Sequence, residues 1–137
     1  MKSFFVALLF WFVSNTYAQQ LQLCFKSIDT TSTEKPIQLS FNVIDKEWSS
    51  AFVQYKNEEG GVLLKFLSEK TIEAANGKKP VIEYTFSEII NGKANGKYVI
   101  AIQENEVLYF YYLKKKSTVR ISFEQDYQIS KNCGCDW

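Results

Sequence analysis

VIEYTFSEIINGKANGKYVIAIQENEVLYFYYLKKKSTVRISF, residues 81 to 123, is the stretch that decides the fold. From Val81 to Ile90 it alternates, with Ile82, Tyr84 and Phe86 on one side and polar residues between them. A period of two residues belongs to a strand with one buried face. Asn91-Gly92 and Asn95-Gly96 form a double turn signal that leads into a second run, Tyr98 to Gln103. Glu104-Asn105 turns the chain into Val107 to Leu113, and Lys114 to Ser117 turns it again. Val119, Ile121 and Phe123 then share one side of a fourth strand. Short links of this kind connect antiparallel neighbours, because parallel pairing needs crossovers of about a dozen residues or more.

Upstream the pattern continues. Ile37, Leu39, Phe41 and Val43 alternate with Gln38, Ser40 and Asn42, and Asp45 to Ser49 reads as a turn. Ala51, Val53 and Tyr55 share the next buried face, and Glu58-Glu59-Gly60-Gly61 reads as a hairpin loop returning through Val62 to Leu67. The interval Ser68 to Pro80 reads as a loop holding at most a short helix over Glu69 to Ala75. With an early strand around Leu21 to Ile28, the chain makes an all-β antiparallel meander of about eight strands, a small barrel or a two-sheet sandwich. Val107 to Leu113 is apolar or aromatic on both faces. Leu108, Phe110 and Tyr112 are assigned to the core, which turns Tyr109 and Tyr111 outward.

The first residues have the parts of a secretory leader: Lys2, an apolar run from Phe4 to Val13, and a small-residue exit at Thr16 and Ala18. Ten helical residues cover about 15 Å, half of a hydrocarbon layer of about 30 Å, so the run is too short for a stable anchor. Residues 1–18 are therefore expected to be a cleaved signal peptide and 19–137 a single exported domain, secreted or periplasmic, with lipid attachment at Cys24 as a competing outcome. Removing the leader takes one lysine from 16 basic residues and leaves 15 against 15 acids. A neutral domain offers no electrostatic argument for nucleic acid or for an anionic membrane surface.

Cys24 lies near the start of that domain, and Cys133 and Cys135 lie at its end. A disulfide from Cys24 to either partner closes a loop of about 110 residues, which the chain-entropy model values at about 4.7 kcal/mol. The alternatives are a Cys133–Cys135 pair across Gly134, a redox dithiol, or three thiolates around a soft metal.

The chain has no histidine. That removes Ser-His-Asp and Cys-His catalysis and the usual base near neutral pH. No phosphate-cradling glycine loop, zinc motif or cofactor motif is present. The domain is therefore expected to be non-enzymatic. Tyr109 and Tyr111, joined by Tyr98 or Val99 of the neighbouring strand, are candidates for an aromatic contact ridge facing a protein or glycan of the cell envelope; the competing reading buries them under a second sheet. Arg120 is the one arginine beside fifteen lysines. It is expected to be either a solvated charge on the polar face of its strand or, in a small-ligand carrier with an internal cavity, the anchor of an acidic group. Glu88 shares the face of Ile82, Tyr84 and Phe86, and its position near a strand end suggests that it leans out to water. Glu83 and Glu88 fall on opposite faces, which argues against a hydrolase built on that pair of carboxylates.

Overall fold

The computed structural model describes residues 21–28, 36–126 and 135. The expected leader and Cys133 lie outside them. Eight strands follow in order: β1 (Leu21–Ser27), β2 (Gln38–Val43), β3 (Ser50–Tyr55), β4 (Val62–Ile72), β5 (Val81–Ile90), β6 (Lys93–Gln103), β7 (Glu106–Lys114) and β8 (Arg120–Gln125). Each pairs antiparallel with its sequence neighbour, and β1 pairs with β8 to close a barrel. At that seam Phe25 faces Gln125 and Ser27 faces Phe123, and Lys26 meets Glu124 in an ion pair of 3.4 Å. Closure removes the two edges that an open meander would leave unpaired.

Alternation dictates the inside. Phe25, Leu39, Phe41, Val53, Phe86, Ile100 and Phe110 are all 2% exposed or less. Phe25 and Phe110 lie 4.3 Å apart between ring centroids, and Phe41 meets Phe86 and Phe110 edge-on at 5.5 and 5.4 Å. An eight-stranded barrel is about wide enough for side chains to fill it. Here aromatic rings occupy its middle, and among the described residues recesses lie at the ends and on the outer wall.

Four local expectations change. Glu69 to Ile72 is not helical: it continues β4, pairing Glu69 with Tyr84 and Ile72 with Val81, after a bulge at Leu67 restores the register. The long β5 offers a partner there, and β-branched Thr71 and Ile72 suit a strand. Of the two Asn-Gly signals only Asn91-Gly92 is a turn, with φ of 51° and 75°. Asn95-Gly96 lies inside β6, where Asn95 is the extra residue of a bulge and Gly96 pairs with Glu88.

Leu108 does not enter the core. A bulge between Ala101 and Ile102 pairs Ile102 with Val107, so Val107 packs inward while Leu108 is 47% exposed. Phe110 and Tyr112 do point inward. Val119 precedes β8 and is 66% exposed, rather than lining the core with Ile121 and Phe123.

Cys24 is bonded to Cys135, with Cα atoms 5.7 Å apart. This joins the two ends of the domain across a sequence separation of 111. In this state Cys24 is a disulfide sulfur and not one of three thiolates.

Candidate functional site

The outer wall of β7 and β8 brings together three of the four residues expected to bind. Tyr109 and Tyr111 stand two apart on one face of β7, with ring centroids 6.0 Å apart and planes 25° from parallel. The Arg120 guanidinium lies over the Tyr111 ring, 4.4 Å from its centroid. A cation over a tyrosine face is held by the ring quadrupole, worth about 0.5–1 kcal/mol where exposed. Arg120 has no ion-pair partner among the described residues. These groups, with exposed Leu108 and Ile28, border a shallow trough of about 390 Å³.

Ala101 explains how Tyr109 is held. It pairs with Glu83 on one side and Tyr109 on the other, and it is fully buried although it faces outward. From the far side of this small residue the Tyr109 hydroxyl donates to Glu83 Oε2 on β5. Burial, then the bond to Glu83, pushes the Tyr109 hydroxyl up to about 12.

Tyr98 does not join this ridge. It pairs with Tyr112 and points inward, 1% exposed. Its strand position is even and those of Val99 and Ala101 are odd, so only the latter two lie beneath the outer tyrosines. Arg120 sits on the outer wall, so it cannot anchor a ligand inside the barrel.

Inside one end of the barrel is a polar cluster around Glu88, which is 2% exposed instead of leaning out to water. Tyr55 Oη donates to Glu88 Oε2 at 2.8 Å, Tyr112 Oη to Oε1 at 3.0 Å, and Asn95 Nδ2 to Oε1 at 2.7 Å. The Tyr98 hydroxyl meets that of Tyr55. Since the single proton of Tyr55 is committed to Glu88, Tyr98 is the donor in that pair.

Burial raises Tyr55 and Tyr98 well above the ordinary tyrosine range, and burial together with adjacent Glu88 pushes Tyr112 up to about 12. Gly96 makes room for this cluster. A Cβ there would collide with the Tyr112 hydroxyl and lie 2.7 Å from the Leu113 carbonyl oxygen. Period two already placed Glu88 in phase with Tyr84 and Phe86. Its three donors were not foreseeable, because they come from β3, β6 and β7.

At the opposite end Trp48 closes the mouth. It stacks on Tyr84, with centroids 4.6 Å apart and planes 8° from parallel, and sits at φ 62°. A bulky residue in the left-handed region is uncommon and strained, so something must hold it. The turn is tied by Asp45, which accepts from Ser49 Oγ and from the Ser50 amide at 3.1 Å. The bond from Ser49 lowers the Asp45 carboxyl pKa. Beside the stacked pair is a recess of about 420 Å³ lined by Leu21, Leu23, Ile82, Ile102 and Val107, with Asn105 and Gln125 also on its wall. Reading Asp45 to Ser49 only as a turn missed this inward indole.

The described residues contain no group of three or more metal-ligating side chains. Comparison with protein-family models, curated proteins and solved structures found no match. Fold and surface together define a closed eight-stranded antiparallel barrel with a filled interior and an aromatic, arginine-bearing outer wall.

Proposed function

We propose that the domain is a non-enzymatic binding module of the cell envelope or secreted space. Its contact surface is the outer wall of β7 and β8, and its partner is a carboxylate-bearing glycan or polypeptide. The supporting observation is Arg120: its guanidinium is aligned on Tyr111, exposed, and without an acidic partner among the described residues. A planar guanidinium fixed in this way can take a carboxylate through two parallel hydrogen bonds. Tyr111, Tyr109 and Leu108 then offer stacking area, with little rotamer entropy lost by the rings.

The test is retention on an immobilised polyuronate against a neutral polysaccharide, for the unaltered domain and for Arg120→Gln and Tyr111→Ser. Selective retention that both substitutions abolish, with unchanged melting temperatures, supports the reading. Equal retention on both matrices, or none on either, ends it for glycans. The same variants titrated with acidic peptides decide the polypeptide arm.

A second reading, a small-ligand carrier, is favoured by one specific observation: strained Trp48 stacked beside an apolar recess at the barrel mouth. The recess lies at the end of a lumen whose middle is filled by the rings of the core. Binding of an apolar dye that is lost in Trp48→Ala supports this reading. Dye uptake unaffected by that substitution contradicts it.

A further inference from the structure

The neutral total charge conceals a strong local separation. The β5–β6 turn and the β7–β8 turn lie side by side at one end of the barrel, joined by the Gly96–Lys114 pairing and by a bond of 3.1 Å from the Lys115 amide to the Asn95 carbonyl. This brings together Lys93 and Lys97 with Lys114, Lys115 and Lys116, all exposed. None has an ion-pair partner among the described residues. Between residues 89 and 123 the only acids are Glu104 and Glu106, which sit at the opposite end; the exposed acids Glu58 and Glu59 share the lysines' end but lie on the separate β3–β4 turn. Glu88, the nearest carboxyl on β5, is buried inside and held by Tyr55, Tyr112 and Asn95.

Five lysines at one corner without ion-pair partners among the described residues repel one another, so the corner is stabilised by a dense negative surface. Lys97, Lys114, Lys115 and Lys116 also border a trough of about 420 Å³ between the two turns.

The same turns carry apolar side chains that the fold does not bury. Ile90 ends β5 and is 41% exposed; Val119 follows the lysine run and is 66% exposed. Single exposed apolar residues are ordinary. Here two protrude from the turns that carry the lysines. A soluble polyanion would use only the charges, whereas the interface of a bilayer takes cations and apolar side chains together.

The outer strand faces carry Gln22, Lys26, Gln54, Lys65 and Glu124 among scattered apolar residues such as Leu63 and Leu108, while the largest apolar cluster, with Phe25, Phe41, Phe86 and Phe110, points inward. That is the reverse of a barrel whose wall faces lipid. We infer that the domain docks to an anionic lipid bilayer surface through this corner, tilted so that the β5–β6 and β7–β8 turns lead, with Lys93, Lys97 and Lys114–Lys116 over the headgroups and Ile90 and Val119 entering the interface. This surface is separate from the Tyr109–Tyr111–Arg120 wall, and the inference does not depend on the partner proposed for that wall.

The test is co-sedimentation of the disulfide-intact domain with phosphatidylcholine vesicles, with and without phosphatidylglycerol, beside retention on soluble polyphosphate. The inference predicts binding to the anionic vesicles only, weakening as salt is raised. At about 1 kcal/mol per lysine, Lys114→Gln, Lys115→Gln and Lys116→Gln together should weaken partitioning roughly 100-fold. Ile90→Ser with Val119→Ser should also weaken it, at unchanged melting temperature. Arg120→Gln leaves vesicle binding largely intact while abolishing polyuronate retention, which separates the two surfaces. Equal binding to neutral vesicles, or no vesicle binding, overturns the inference. So does binding to polyphosphate and vesicles alike with no effect of the Ile90 and Val119 changes, which would make the corner a general polyanion site.

Discussion

Glu88 is where the structure departs furthest from a reading of strand ends as solvated, and its replacement gives the sharpest energetic prediction. In Glu88→Leu the side-chain volume is roughly kept, but the acceptor for Tyr55 and Tyr112 disappears. Tyr55 can turn its proton to Tyr98, which then loses its own acceptor, so two buried hydroxyl protons remain without partners. Asn95 is exposed and turns to water. At about 1–3 kcal/mol for each orphaned donor the cost is about 2–6 kcal/mol. That is a large part of the roughly 5–15 kcal/mol that holds a domain together.

Glu88→Gln keeps one oxygen for Tyr112 and Asn95, and its new amide donates to Tyr55. One hydroxyl proton along Tyr98 and Tyr55 is then stranded, at a cost of about 1–3 kcal/mol. Denaturant unfolding of both variants, disulfide intact, should therefore rank the native protein above Gln and Gln above Leu. The melting temperature should fall by roughly 4 °C for each kcal/mol lost. A leucine variant as stable as the glutamine variant would refute the reasoning, because it would mean that the hydroxyls do not depend on the carboxyl.

Other consequences are open to measurement. Tyr112 and Tyr109 are pushed up to about 12, and Tyr55 and Tyr98 are raised, so the folded state holds phenolic protons that the unfolded chain releases near pH 10. The sign follows: this stability is complete below pH 10 and is lost as pH climbs toward 12. An ultraviolet titration should show these tyrosines ionising together with unfolding instead of one by one. Gly96→Ala drives a methyl group against Tyr112 and the Leu113 carbonyl, and a chemical melt should show about 1–3 kcal/mol lost. Cys24→Ser should cost about 4.7 kcal/mol on the chain-entropy model, since it opens the loop whichever C-terminal cysteine is available. A variant as stable as the native protein in a denaturant melt would contradict that closure.

The barrel was largely legible because period-two alternation is a local property: Ile82, Tyr84 and Phe86 reveal their common face without any knowledge of neighbouring strands. Bulges are not local in that sense. Leu108 looks as buried as Phe110 in sequence, and only the partner register from Ala101 to Ile102 expels it. Tyr98 looked like a companion of Tyr109 and Tyr111 because the strands are adjacent, yet the register pairs it with Tyr112 inside.

Arg120 and the two outer tyrosines were recoverable because each lies on the predicted outer side of its strand, and neighbouring strands bring them together. Trp48 was hidden by its turn, where no periodicity operates. The lysine corner was hidden by net charge, a sum that carries no positions.

The account rests on the β7–β8 wall being a surface for a partner rather than for the fold. Backbone amide shifts of the labelled domain, followed by nuclear magnetic resonance during titration with an oligouronate, test it most directly. The prediction is a saturable set of shifts centred on Tyr109, Tyr111, Arg120 and Ser122, absent in Arg120→Gln. Shifts confined to the Trp48–Tyr84 mouth or to the Lys93–Lys116 corner, or no saturable shifts with either oligouronates or acidic peptides, would contradict it.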